Sequence, residues 1–539
     1  MGGEQFEQQE DTQGSQELLQ SLRSKATELL LREQWEESIQ LYTRFIDLSR
    51  NQITKLAKSD PDTVPKLRKS LCLALCNRAE ARARLHDSSE AMRDCDQALE
   101  IDNTHFKTLL CKGKVLLGLS RYSSALECFK TALLDPQASE SVTVHLEKCK
   151  KLEFQAKTGA FDLSDWILSG FRGKTPELAE FIGSIEIKRS EVSGRGLFAT
   201  KNIVTGTLIL VTKGVATERG ILGSEECVDK AQMVMWKNFV EEVTKSVRRC
   251  DRTRKLVSSL STGEEEEKLE IPDISLFRPE EASETYDDLD MEKLLSILDV
   301  NSLVEDAVSA KVLGKNKEYY GVGLWTLASF INHSCVPNAR RLHVGDYAIV
   351  HASRDIKAGE EITFAYYDVL SSPLEKRKEM AESWGFCCRC SRCKFESDLS
   401  VANQEIREFE TALERGVDAG NAVYMVEEGM KRWKVKGKDK GLLRASYWGV
   451  YEEVYNSERL MRRWGRKVPS VEVVVDSVCD VVGSDERLLK MVVEGMKKKN
   501  GGCSSSNIAE MERILKLGKG VYGKVVPKKK AMKSLLGLE

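Results

Sequence analysis

At 539 residues the chain is too long for one hydrophobic core, so two to four domains are expected. Its 82 basic and 84 acidic residues balance, which removes any global charge argument for nucleic acid, and 41% hydrophobic residues suit a folded globular protein. No run of 18 apolar residues occurs and the first 16 residues are polar, so neither a membrane helix nor a secretory signal is expected. Met1-Gly2 opens the chain, but Phe6 stands where a myristoylation signal wants Ser or Thr. Fifteen cysteines without a signal peptide point to a reducing compartment, nucleus or cytoplasm, and to free thiols or bound metal.

Residues 17–136 read as helical repeats. Ala79, Ala91, Cys95 and Ala98 recur 34 residues later as Gly113, Ala125, Phe129 and Ala132. Small side chains at two helix positions let paired helices approach, and a larger apolar residue fills the space beside them. An earlier, less regular unit has Ala26, Ser38, Tyr42 and Phe45, and a stretch from about Asn51 to Pro65 lengthens the link to the next. Asp135-Pro136 stops the last helix. The period resembles the tetratricopeptide repeat, and three units meet the minimum for a stable stack. The resemblance implies a concave groove for a peptide or protein partner; an ordinary helical bundle is the competing reading. Residues 137–180 read as a helical connector.

From Ile185 the pattern changes to short apolar runs with glycine, including Gly196-Leu197-Phe198-Ala199 and Leu208-Ile209-Leu210-Val211, which read as strands and turns. From about residue 220 to 317 the chain reads as helical and polar, with the acidic run Glu264 to Glu267 as a solvated loop. Strand signals return at Tyr347 to Val350 and Ile362 to Phe364. After Cys393 the chain reads as helical, broken at Gly501-Gly502 and Ser504 to Ser506, and residues 396–539 suggest no role. The expected class is α+β multidomain: all-α repeats, a mostly-β domain with a helical insert, and a helical C-terminal region.

Four segments carry the chemistry. Ser193-Gly194-Arg195-Gly196 allows a tight turn and close backbone approach to a ligand. Asn332-His333-Ser334-Cys335-x-x-Asn338 contains one of only six histidines. Gly359-Glu360-Glu361-Ile362-Thr363-Phe364-Ala365-Tyr366-Tyr367 reads as a turn and a strand, with Phe364 and Tyr366 on one face and Tyr367 on the other. Cys388-x-Cys390-x2-Cys393 gathers three thiols, one short of the four a structural zinc wants, with Cys387 as a neighbouring competitor.

In order and spacing these segments resemble the SET-domain protein lysine methyltransferases, in particular the SMYD-like branch, over about residues 183–395. The resemblance implies a SET domain at 183–368 and a zinc-binding post-SET segment at 369–395. It implies that Gly194, Arg195, Gly196, Asn301, Asn332, His333, Tyr366, Trp384 and Phe386 hold S-adenosylmethionine, with Tyr366 the catalytic tyrosine. Phe364 would line the substrate-lysine channel, where Phe favours more than one methyl transfer. Cys335 would be the fourth zinc ligand beside Cys388, Cys390 and Cys393. The implied activity is methyl transfer to a histone or other protein lysine, the repeats binding a partner or substrate. The competing reading is a catalytically silent adaptor. Direct nucleic-acid binding is not expected.

The chemistry suits such a site. A lysine must be neutral to attack a sulfonium methyl, and with a pKa of about 10.4 the neutral form lies roughly 4 kcal/mol uphill near pH 7. A dry aromatic channel disfavours the ammonium, and a tyrosine hydroxyl can orient the amine.

Two features set limits. SMYD enzymes carry a MYND zinc finger of seven or eight Cys and His, whereas only Cys227 and Cys250 lie between Gly206 and Tyr320, so no such finger is expected. The repeats precede the SET segment, as in repeat-plus-SET proteins of plants and fungi. Gly518-Lys519-Gly520-Val521-Tyr522-Gly523-Lys524-Val525 mimics a kinase glycine loop, but the 14 residues after it cannot hold a catalytic loop. The eight cations from Arg513 to Lys533 read as a solvated basic tail, with a nuclear signal as the alternative.

Overall fold

The computed structural model describes residues 3–136, 140–221, 228–264, 266–280, 289–305, 309, 312–313, 319–383, 385–499 and 508–538. The chain forms two compact units. The first comprises Met1–Thr158, Val240–Ser259 and Ser275–Leu294; the second comprises Gly159–Phe239, Leu260–Ile274 and Leu295–Glu539.

The first unit is a stack of helix pairs: Gly3–Leu31 with Trp35–Ser59, Val64–Arg84 with Ser88–Ile101, and Phe106–Gly118 with Tyr122–Ala132, followed by Glu140–Thr158. The pairs turn through Glu33, His86 and Ser120, each at φ 60, and the last two are one 34-residue period apart. The small residues read from the sequence are all buried. A Cβ on Gly113 would lie 2.6 Å from the Phe129 ring, so the aromatic fills space that only glycine leaves. In the irregular first repeat Ser38 donates to the Ala26 carbonyl at 3.0 Å, a bond its alanine counterparts cannot make. The stretch from Asn51 to Pro65 is mostly helix: Trp35–Ser59 runs on into it, and residues 60–63 join it to helix Val64–Arg84. Buried Asp94 accepts from both Arg78 (2.9 and 2.6 Å) and Arg82 (2.7 Å), so its desolvated charge is matched.

The segments Val240–Ser259 and Ser275–Leu294 complete this unit. Arg249 donates to the Leu85 carbonyl at 2.6 Å and the Asp251 amide to Ser89 Oγ at 2.9 Å. Glu280 accepts from the Ser123 amide (2.7 Å) and the Ser124 hydroxyl (3.1 Å), placing a carboxylate at the N-terminus of helix Tyr122–Ala132.

The second unit carries the strands β1 (Phe181–Ile182), β2 (Ile185–Arg189), β3 (Arg195–Ala199), β4 (Leu208–Lys213), β5 (Thr217–Ile221), β6 (Leu303–Val304), β7 (Tyr319–Gly323), β8 (Asn332–His333), β9 (Ala339–Val344), β10 (Tyr347–Ala352) and β11 (Glu361–Phe364). They form three small sheets, β1-β4-β10-β9, β2-β3-β11-β8 and β5-β7-β6. All pairings are antiparallel except β8 with β11, which sets Asn332 opposite Thr363 and His333 opposite Phe364. The stretch expected to be helical from 220 to 317 is only partly so, because β6 closes the third sheet directly after helix Met291–Asn301. Two residues are too short to show an alternating pattern.

The C-terminal helices pack on these sheets. The β10 residue His351 is fully buried, and its Nε2 lies 3.2 and 3.1 Å from the Gly520 and Val521 carbonyls. Carbonyls only accept, so Nε2 carries the proton. The kinase-like glycines serve this contact: a Cβ on Gly520 would meet Ser484 Oγ at 2.2 Å, and Gly523 turns at φ +75 over the His351 ring. Arg340 pairs with Asp485 at 2.7 Å. Part of the basic tail is also engaged, Lys528 with Asp165 at 2.6 Å. The breaks at Gly501-Gly502 and Ser504 to Ser506 lie outside the described residues. Among the described residues no helix is long and apolar enough to cross a membrane.

Candidate functional site

The Ser193-Gly194-Arg195-Gly196 turn leads into β3, and Gly194 takes φ +50. A Cβ on Gly196 would lie 2.4 Å from Glu361 Oε1 and 3.1 Å from Asn332 Nδ2, so a side chain there would displace the Glu361 carboxylate from its place beside Asn332. Asn332 Nδ2 donates to the carbonyls of Ser193 (3.0 Å) and Arg195 (3.2 Å) and to Glu361 Oε1 (2.8 Å). Glu361 Oε2 accepts from Ser190 Oγ at 2.9 Å. One amide thus ties the glycine turn to β8 and β11 and keeps its carbonyl oxygen for another partner. Asn338, 1% exposed, does similar work: it donates to the Glu361 carbonyl at 2.8 Å and accepts from the Thr363 amide at 2.9 Å.

Just past β11, the Tyr366 amide donates to His333 Nδ1 at 3.1 Å, and its hydroxyl donates to the Ile331 carbonyl at 3.0 Å. Burial pushes the Tyr366 phenol up to about 12, against a downward pull from Arg341. It therefore stays protonated at neutral pH and is no general base. Its ring stands 5.3 Å from His333 and 5.7 Å from Phe364.

A cavity of about 710 Å³ opens beside these groups, a size that suits a small-molecule ligand. Arg195, Asn301, Asn332, His333, Tyr366 and Phe386 line it. Gly194, Gly196 and Phe364, the last 2% exposed, are not among its lining residues. The Arg195 guanidinium turns toward the Phe330 ring (5.1 Å) and the Glu270 carbonyl (3.0 Å). Asn301 spends its amide donor on the Ser261 and Ile297 carbonyls, both at 2.7 Å. Trp384 lies outside the described residues.

Behind the cavity the Sγ atoms of Cys335, Cys388, Cys390 and Cys393 all lie within 4.8 Å of one another. A tetrahedral zinc with Zn–S of about 2.3 Å would separate its thiolates by about 3.8 Å. Cys335 lies 3.7 Å from Cys388 and 3.3 Å from Cys393, so the donor set and its spacing suit zinc. Hydrogen bonds from Cys335 and the other thiols hold the Cys388 thiol well below its ordinary value, which favours a thiolate. Cys387 is exposed and apart from the cluster. Tyr367 turns to this side, its hydroxyl 2.5 Å from Cys335 Sγ. Phe386, between the cluster and the cavity, approaches His333 (5.8 Å) and Tyr366 (6.4 Å, edge-on).

Two supports of the site have no motif of their own. Glu361 lies in a strand pattern, yet it fixes Asn332. The helix Ser391–Ala402 that follows the cysteines is anchored by fully buried Arg392, which donates to Glu396 at 2.8 Å and to the Val369 carbonyl. Lys376 also pairs with Glu396, and Ser446 donates to it at 2.6 Å. Charged residues at i and i+4 were visible, but nothing in the pattern marked them as buried.

Residues 194–367 match the SET domain family. The chain carries a SET domain. It is 25% identical over 383 residues to a protein of Gibberella zeae named methyltransferase, covering 67% of this chain and 49% of that one. It is 33% identical over 118 residues to the histone-lysine N-methyltransferase SMYD3 of Mus musculus, covering 21% of this chain and 25% of the relative. The chain thus spans half or less of the length of these relatives. Among solved structures, the SET domain of LSMT bound to lysine and AdoHcy aligns with 72% of this chain and 91% of its own at 15% identity, with a TM-score of only 0.21.

Proposed function

We propose that the chain is an S-adenosylmethionine-dependent protein lysine N-methyltransferase. The observation that carries this reading is the Tyr366 phenol, fixed by Ile331 at the wall of a cavity whose other walls include Asn332 and His333. When bound, S-adenosylmethionine supplies an electrophilic methyl group, whose carbon–sulfur electron pair returns to sulfur as the new carbon–nitrogen bond forms. The Tyr366 hydroxyl donates to the Ile331 carbonyl, and its oxygen would accept an N–H from the substrate amine. That directs the amine lone pair away from the tyrosine and holds it for attack, which is catalysis by orientation. The methylated nitrogen gives its extra proton to water.

The Asn332 carbonyl, the Asn332-His333 backbone and the glycine turn would hold the cofactor, with Arg195, Asn301, Trp384 and Phe386 around it. Cys335, Cys388, Cys390 and Cys393 would bind zinc, which would pin the segment carrying Phe386 against the cavity. Phe364 would line the lysine path. The acceptor is a protein lysine, in a histone or another protein; SMYD3 is named for histone lysine. The repeat unit would bind a peptide or protein partner, and the site of action would be nucleus or cytoplasm.

Thermal unfolding with added S-adenosylmethionine tests the cofactor half of this reading. Ligand at about a hundred times its Kd should add about 2.7 kcal/mol of stability to the wild type. Asn332→Ala should abolish that gain. No stabilisation of the wild type would favour a silent adaptor.

A further inference from the structure

The Tyr366 ring has a second neighbour that the cavity does not reach. Phe364 lies 5.7 Å from it, and the Arg341 guanidinium of β9 sits over the Phe364 ring at 4.7 Å. Arg341 also donates to the Val304 carbonyl at 3.1 Å, which fixes it between β9 and β6. A bare aromatic face attracts a cation through its quadrupole and would hold an arriving lysine as unreactive ammonium. Here a permanent cation already sits on the ring, so a second one beside it is disfavoured.

Among the described residues, Arg341 from β9 and Glu361 from β11 act on the Tyr366 phenol and His333 from β8 faces its ring, while Arg195, which lines the same cavity, turns to Phe330. The Glu361 carboxylate is held by Asn332 and Ser190, and His333 accepts the Tyr366 amide proton. Of the two full charges, Arg341 acts on the phenol more strongly than Glu361. Near Arg341, Arg219 and Glu305 pair with each other at 2.8 Å.

We propose that Arg341 sets the protonation of the acceptor lysine: its fixed charge, stacked behind Phe364, disfavours an ammonium beside Tyr366 and admits the neutral amine. This rests on the methyltransferase reading. Charge repulsion across one ring in a poorly solvated channel lowers the amine's pKa by about one unit. The sign follows directly. Removing the cation raises the amine's pKa, leaves less neutral amine at a given pH, and moves the acid limb of the rate profile to higher pH.

The test compares Arg341→Lys, which keeps the charge, with Arg341→Gln, which removes it. The acceptor is the extract protein that the wild type labels from methyl-tritiated S-adenosylmethionine, and kcat at saturating acceptor, which reports groups in the bound complex, is followed from pH 6.5 to 10. Wild type and Arg341→Lys should share one limb. The Arg341→Gln limb should lie about one unit higher, with roughly tenfold lower kcat near pH 7.5. A second readout needs no turnover: calorimetry in two buffers of different ionisation enthalpy, with a peptide spanning the labelled lysine and no cofactor. The wild type and Arg341→Lys should release more protons on binding than Arg341→Gln, and a norleucine peptide none. Coincident Lys and Gln variants in both readouts would overturn the inference while leaving the enzyme standing. A wild type that labels no protein would remove the enzyme reading and this inference together.

Discussion

Asn332 is the residue on which the candidate site turns, because one side-chain amide serves the glycine turn, the carboxylate of Glu361 and the strand register at once. Its usefulness depends on Glu361. Truncating that carboxylate removes one of the three acceptors of the Asn332 amide and the acceptor of the Ser190 hydroxyl, at a cost of about 1–3 kcal/mol. Glu361→Ala should therefore weaken S-adenosylmethionine binding about tenfold or more by calorimetry, with Glu361→Gln between it and the wild type; unchanged affinity in both would remove Glu361 from the site. Tyr366 and Tyr367 show how adjacent residues divide labour. One hydroxyl is fixed beside the cavity and the other points to the thiols. The alternation of a strand makes such a division readable from sequence. The role of Glu361 is not readable in that way, because it arises from a contact with a turn 171 residues away at Ser190.

At the scale of elements, the repeats were legible because their packing is written in residue size. Gly113 and Phe129 are complementary, and a side chain at the glycine must displace the ring. Gly113→Val should cost about 1–3 kcal/mol of stability, seen as a lower melting temperature with the SET cavity still binding cofactor; an unchanged melting temperature would contradict the packing. The post-SET segment has a different cohesion, four thiols gathered among Tyr367, Met380 and Phe386. Cys390→Ser should lower zinc content and cofactor affinity together, read by metal analysis and titration. A fully metallated variant with normal affinity would sink the zinc assignment. Strands β6 and β8 were out of reach of pattern reading, since two residues carry no periodicity and their pairing comes from the sheet. The C-terminal helices were legible as helices, but not their docking, which runs through main-chain carbonyls, buried ions and glycines that mimic a kinase loop.

For the whole molecule, the C-terminal region acts as a brace for the SET sheets. Against the upward push of burial, Arg392 and Lys376 hold the Glu396 carboxyl below its ordinary value, which keeps this network ionised and the post-SET helix seated. His351 makes the brace sensitive to acid. Burial pushes its imidazole down to about 4, partly opposed by the carbonyls it donates to. The folded form thus binds fewer protons than the unfolded one between about pH 6.5 and 4. The contribution, about 3 kcal/mol at most, is whole above that window and is lost as pH falls through it. The wild-type melting temperature should fall between pH 7 and 5, and His351→Gln should flatten that fall; parallel curves would contradict the assignment. The claim that joins all three scales is that this scaffold exists to present Tyr366 to a lysine beside a methyl donor. The most direct measurement is transfer of tritiated methyl from S-adenosylmethionine to proteins of a cell extract, wild type against Tyr366→Phe. The account predicts a labelled protein that the variant labels about a hundredfold less or not at all, while still binding cofactor. Equal labelling by both proteins would contradict it.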